Sequence, residues 1–243
     1  MAEVFTRPTG PIGGARTSGA LDQGLRSFML GTYNYMALGV AGTAVVVMLL
    51  MANPAVMQAI ALGPMKWVIF AALLGLGWFA PRLFFSGSTA LAHGAFWAYC
   101  ALWGVLISPM IEMFVARGLS GLIGQAFFIA AATFAATSLI GYTTKKDLSA
   151  MGSFLIMGLI GIIVASLINL FLQSSGLAMA ISILGVLIFA GLTAYDTQKL
   201  KEQYAYVRGT DFAGKAVVLG ALNLYLDFIN MFLFLLRFMG DRR

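Results

Sequence analysis

Residues 216–238, AVVLGALNLYLDFINMFLFLLRF, decide how the rest of the chain is read. The stretch is long enough to cross a hydrocarbon core of ~30 Å as a helix, which takes roughly 20 residues. Yet it carries an acid, Asp227, near its centre. On a helix of about 3.6 residues per turn, Gly220, Asn223, Asp227, Asn230, Phe234 and Arg237 fall on one stripe. Every charged or amide side chain of the segment lies on that stripe. Facing lipid, it would leave a carboxyl and its neighbouring amides without partners, at a cost of several kcal/mol. The stripe must therefore face other helices or water. The segment is expected to be a central helix, with Asn223 and Asn230 supporting Asp227.

The composition sets the environment. The 243-residue chain is 60% hydrophobic and only 10% charged, where soluble domains carry ~25% charged residues. Its mean hydropathy is +0.91. These values describe an all-α integral membrane protein. The 28 glycines exceed the usual share of about 7%, and small residues let membrane helices approach closely, so one compact bundle is expected. A net charge of +6 would raise nucleic acid as a partner of a soluble protein. Here the basic residues sit mostly in short loops between apolar runs, where they report orientation, and no nucleic-acid partner is expected. Cys100 lies alone inside an apolar run, which excludes a disulfide framework and reads as packing. Residues 1–30, rich in Gly, Pro, Thr and Arg, lack the apolar core of a signal peptide. They read as a disordered cytoplasmic tail ahead of a single membrane domain, 31–243.

Apolar runs of spanning length appear at about 33–52, 66–85, 90–110, 122–141, 151–172 and 177–195, with 216–238 as the seventh. A seven-transmembrane-helix bundle with the last helix central is the expected fold. The second run is the weakest, because Pro81 and Arg82 close it. Assigning loops alternately to the two sides gathers Arg7, Arg16, Arg26, Arg82, Lys145, Lys146, Lys199, Lys201, Arg208 and Lys215 on one side and Lys66 and Arg117 on the other. By the positive-inside rule the N-terminus is cytoplasmic. Seven spans then place Arg237, Arg242 and Arg243 outside, against that rule. A re-entrant hairpin in place of the last span would return them inside, and both arrangements stay open at this stage. The segment DTQKLKEQYAYV, 196–207, has helical character and is broken by Gly209 and Gly214, so the sixth helix is expected to run on to about Val207.

Two acids stand inside or at the end of apolar helices, Asp196 and Asp227. Counted from the turn at Gly209, their depths differ by only ~7 Å in a helical hairpin, so the carboxyls can face each other. Two carboxylates in contact away from bulk water cannot both ionise cheaply, so such a pair shares a proton. Fully deprotonated, it offers a doubly negative oxygen site suited to a hard cation such as Ca²⁺. The plainer alternatives are a helix-end solvation role for Asp196, and for Asp227 a packing role with a hydrogen bond to Asn223 or Tyr225. Arg82 lies within reach of a carboxylate near the same surface, or else acts only as a snorkelling anchor. Glu112 reads as an interfacial acid, Asp147 as a helix N-cap, and His93 as structural. No mid-membrane lysine suits a retinal Schiff base, no Gly-x-Ser-Gly nucleophile is present, and neither a zinc ligand set nor a phosphate loop appears. An enzyme is not expected, nor is a cofactor.

The stretches GLTAYDTQKLK (191–201) and ALNLYLDFINMFLFLLRF (221–238) closely resemble the signature of the transmembrane Bax inhibitor motif family. GYTTKKDLSAMGSFLIMGLIGIIVASLINLF (141–171) is similar to its bacterial branch, which implies the bacterial plasma (inner) membrane. The resemblance implies a seven-helix bundle ringed around the last helix, and a proton-sensitive calcium leak channel with Ca²⁺ as the permeant ion. In it the aspartates matching Asp196 and Asp227 would form the pH sensor and gate and line a transient Ca²⁺ path. The arginine matched to Arg82 would act as a latch. The resemblance also admits a non-conducting modulator that binds other membrane proteins, such as a membrane protease or a cell-death regulator. The Gly-rich face at Gly118, Gly121 and Gly124 and the N-terminal tail would then carry function. A proton-coupled small-solute transporter is a third reading.

Overall fold

The computed structural model describes residues 14–86 and 88–241, with side chains described for 23–80, 82 and 88–241. Among them there are helices and no strand: α1 (Gly14–Met51), a short α2 (Pro54–Leu62), α3 (Met65–Ser86), α4 (Thr89–Ala116), α5 (Ser120–Thr143), α6 (Ser149–Leu172), α7 (Ser175–Val207) and α8 (Ala213–Asp241). The end of α2, Gln58–Leu62, is wound as a π-helix. Among the described residues six helices are long and apolar enough to cross a membrane, and a seventh crossing exists if α2 and α3, bent by 61° at their break, count as one span.

Three boundaries differ from the sequence expectations. The first helix begins at Gly14, so the boundary of the expected disordered tail, residues 1–30, falls inside α1. Phe28 and Met29 are buried against the bundle, and that packing extends the helix back into a stretch whose composition alone reads as a tail. Arg7 and the rest of residues 1–13 lie outside the described residues. The third expected run ends near Met110, but α4 continues past Pro109 to Ala116. A mid-helix proline leaves a carbonyl one turn back without its amide partner. Here the Ser108 hydroxyl donates to the Val105 carbonyl at 2.8 Å and takes up that group, as serine commonly does in membrane helices. Finally, Gly214 does not interrupt the chain but lies in the first turn of α8. Gly209, at φ +71, makes the turn, a backbone conformation that costs glycine little.

One boundary matches expectation. α7 runs on to Val207. α8 is one unbroken helix of 29 residues, ~43 Å long at 1.5 Å per residue, which excludes the re-entrant hairpin. Over its most apolar stretch α8 is 61% buried, whereas α6 is 6% buried. α8 packs against α7, α1, α5, α4 and α3, while α6 packs on α7 alone among the described helices.

Candidate functional site

The site forms where α7 and α8 meet, and short contacts hold α7 in place. At Gly141 on α5 an added Cβ would lie 2.8 Å from the Ala194 carbonyl carbon and closer still to its oxygen. Only glycine lets the α5 and α7 backbones approach this closely, two residues before Asp196. Next to the acid, the Thr197 hydroxyl bonds Ser138 of α5 at 3.0 Å, and Ser138 in turn bonds the Tyr33 hydroxyl of α1. The next residue, buried Gln198, accepts from the Leu148 amide and donates to the Lys146 carbonyl, both at 2.8 Å. Lys201 donates to the Tyr142 carbonyl at 2.9 Å. The loop between α5 and α6 is thus clamped to the extension of α7.

α8 is fixed in rotation from its other face. The Tyr225 hydroxyl meets Thr43 of α1 at 2.7 Å, and Thr43 also donates to the Cys100 carbonyl of α4 at 3.0 Å. With Tyr225 engaged there, Asp227 is turned the opposite way. Asn223, Asp227, Asn230, Phe234 and Arg237 all line one cavity of about 1490 Å³. The sequence stripe is therefore an internal wall, except at Gly220, which packs against Leu200 and Thr32. From Asn223 to Asp241 the cavity follows α8 for ~27 Å.

Asp196 lines the same cavity and is close enough for its charge to act on Asp227. Asp227 is 4% exposed. Its Oδ2 is buried and has no hydrogen-bond partner among the described residues, a condition shared only with Nε1 of Trp103, another residue of the cavity wall. A carboxyl so placed is expensive to ionise alone. The packing alternative for Asp227 through Tyr225 is not what is found, since that hydroxyl bonds Thr43.

Arg82 is exposed and does not line the cavity. The cation whose charge reaches Asp196 is Lys199, three residues along α7, which also lines the cavity and lies 5.7 Å from the Tyr195 ring centroid. Sequence reading counted Lys199 only as an orientation marker. The i,i+3 spacing from Asp196 was the available signal. The Tyr33, Ser138 and Gln198 contacts leave no such signal, because their partners are distant in the chain.

The remaining candidates are structural in their contacts. His93 Nδ1 bonds the Tyr35 hydroxyl at 2.5 Å, and Cys100 is buried. Glu112 is half-buried and outside the cavity wall. Asp147, the expected N-cap of α6, accepts from the Ser149 amide at 2.8 Å but lies one position ahead of the observed N-cap, Leu148. Hydrogen bonds from the Ser149 hydroxyl and amide hold the Asp147 carboxyl below the usual carboxylate range. Among the described residues no three His, Cys, Asp or Glu side chains converge as a metal-ligand set.

A family model described as Inhibitor of apoptosis-promoting Bax1 matches residues 25–243. The chain is 43% identical over 232 residues to uncharacterized protein RP147 of Rickettsia prowazekii, covering 91% of this chain and 92% of that one. It is 40% identical over 223 residues to inner membrane protein YbhL of Escherichia coli K12, covering 90% and 94%. A Caulobacter vibrioides protein is 40% identical over 239 residues, covering 94% of each. With a lipid-crossing helical bundle, a buried and a half-buried acid on one cavity and a family match over nearly its whole length, this integral membrane protein belongs to the Bax1-I family.

Proposed function

We propose that the protein is a pH-sensitive leak channel passing Ca²⁺ or a similar cation, gated by a proton shared between Asp196 and Asp227, with no enzymatic step. The observation that supports this reading is the polar stripe of α8 turned onto a cavity that follows the helix, with both carboxyls in its wall. While the pair holds one proton, α7 and α8 stay together and the path past Asp227 is closed. Loss of that proton puts like charges face to face in a buried site, which drives the helices apart. It also leaves carboxylate oxygens, with Asn223 and Asn230 beyond them, as a transient path for a hard cation. Lys199 moderates the charge on Asp196. Arg82, outside the cavity wall in this arrangement, takes the latch role by pairing with the acids in the other state, which shifts the balance between them.

In the same reading α2 and α3 form one broken second span, so that seven segments ring and include a central α8. The N-terminus is cytoplasmic, because alternating loops put Arg26, Lys145, Lys146, Lys201 and Arg208 on one side, and the membrane is the bacterial inner membrane, as the name of the Escherichia coli relative has it.

The experiment is Ca²⁺ flux into proteoliposomes over about pH 6–8, a range that brackets the titration of a shared buried proton. Wild-type flux should rise with pH, Asp196→Asn and Asp227→Asn should each flatten it, and Arg82→Gln should move its midpoint without flattening it. A second reading, a non-conducting protein bound to other membrane proteins, is favoured by Gly121 and Gly124 on α5, which are exposed with no side chain or backbone within 4 Å of an added Cβ. No flux above empty liposomes from folded protein would overturn the channel reading in favour of this one.

A further inference from the structure

We infer that the far end of the cavity is a lateral binding site for one anionic glycerophospholipid, its phosphate on Arg117 and Arg237 and an acyl chain running inward toward Asp227. This site stands whether or not the protein conducts.

The fold leaves the cavity open to the bilayer. Its walls include Phe70 and Leu74 of α3 and Ile163 and Leu167 of α6. Yet among the described residues the α6 backbone comes close to α7 alone, and the α3 and α6 backbones do not approach each other across the gap. Residues beside it are exposed, Phe70 by 46% and Leu170 by 69%. A gap of this kind at membrane depth is bordered by lipid, not water. An acyl chain is the group that can enter it without desolvation cost.

Charge and length select the rest of the ligand. Arg117, at the C-cap of α4, and Arg237, near the end of α8, line the same end of the cavity and are both exposed. Asp241 lines it too, so the described residues lining this end carry one net positive charge, which suits a headgroup with one net negative charge. Arginine suits phosphate because its planar fork matches the phosphate oxygens. Along α8, Arg237 lies ten residues beyond Asp227, ~15 Å at the helical rise. That distance equals half of a ~30 Å hydrocarbon core. A lipid with its phosphate on the arginines therefore brings its acyl end to the level of the buried acid. The volume of about 1490 Å³ also exceeds the ~300–1,000 Å³ usual for small-molecule pockets.

Trp103 lines this cavity and supplies the reporter. Trp67, Trp78 and Trp97 are exposed by 67%, 84% and 41%, so each is replaced by Phe to leave Trp103 as the sole fluorophore. The protein is reconstituted in phosphatidylcholine bilayers containing a small share of acyl-brominated phosphatidylglycerol, whose bromines quench tryptophan on contact. Brominated phosphatidylglycerol should quench Trp103 in a saturable way, at a share about fivefold lower per arginine than brominated phosphatidylcholine requires. The Arg117→Gln/Arg237→Gln variant should bring the two lipids level. Equal quenching by both lipids at every share, or no quenching of Trp103, overturns the site. Native mass spectrometry of the unaltered protein titrated with the same unbrominated lipids gives an independent reading. One retained phosphatidylglycerol is expected, and equal retention of the two lipids refutes the assignment even if the variants fail to fold.

Discussion

Replacing Asp227 with Asn keeps the shape of the side chain and removes one acid of the Asp196–Asp227 pair on the cavity wall. The change breaks no hydrogen bond at Oδ2, which has no partner, so the bundle should stay folded. Its effect should fall on proton linkage. If one shared proton holds the gate, the open fraction below the midpoint rises tenfold for each pH unit, about 1.4 kcal/mol per decade. Wild-type flux should therefore climb by up to ~100-fold between about pH 6 and pH 8. With Asn at 227 there is no like charge opposite Asp196, and the remaining acid has Lys199 beside it. Repulsion cannot build, and flux should stay within about twofold of the low-pH wild-type level across the range. The assay is entry of Ca²⁺ into proteoliposomes loaded with an indicator dye, with folding checked by gel filtration. Asp196→Asn must behave alike, since the proton belongs to the pair and not to either residue. An Asp227→Asn protein whose flux keeps a slope of one decade per pH unit would refute the shared-proton gate.

Gln198→Leu should lower stability by about 1–3 kcal/mol, because the Leu148 amide loses its acceptor while the Lys146 side of the clamp is open to water; the thermal unfolding midpoint in detergent measures it. Gly141→Ala should cost a similar ~1–3 kcal/mol, because the Ala194 backbone cannot yield to the added Cβ, and it should also alter the pH profile of flux by displacing Asp196. The Asp147 carboxyl is held low by Ser149, so its contribution is present above the ordinary carboxylate value of about 4 and is lost as pH falls through the depressed one. The difference in melting temperature between wild type and Asp147→Ala should therefore be constant near neutrality and shrink at strongly acidic pH.

The amino-acid sequence by itself determined the membrane environment, the reach of α7 to Val207 and the inward stripe of α8. The physical reason is that lipid offers no partner to Asn223, Asp227 or Asn230, so helical periodicity alone tells which face must turn inward. Counting the helical rise from Gly209 set Asp196 and Asp227 at similar depths. What only the tertiary structure decided concerns partners across helices. Tyr225 bonds Thr43, Thr197 bonds Ser138, and Gln198 holds the loop before α6. Lys199, not Arg82, stands with the acids on the cavity wall. The third run reads as ending near Met110, yet α4 continues to Ala116 with Ser108 taking up the carbonyl that Pro109 frees. The gap between α3 and α6 likewise exists only because α6 leans on α7 alone. Membrane helices meet through close packing of small surfaces, with little hydrophobic force to choose a partner. Rotation and crossing are therefore set jointly by residues far apart in the chain, and no local pattern in the sequence records them.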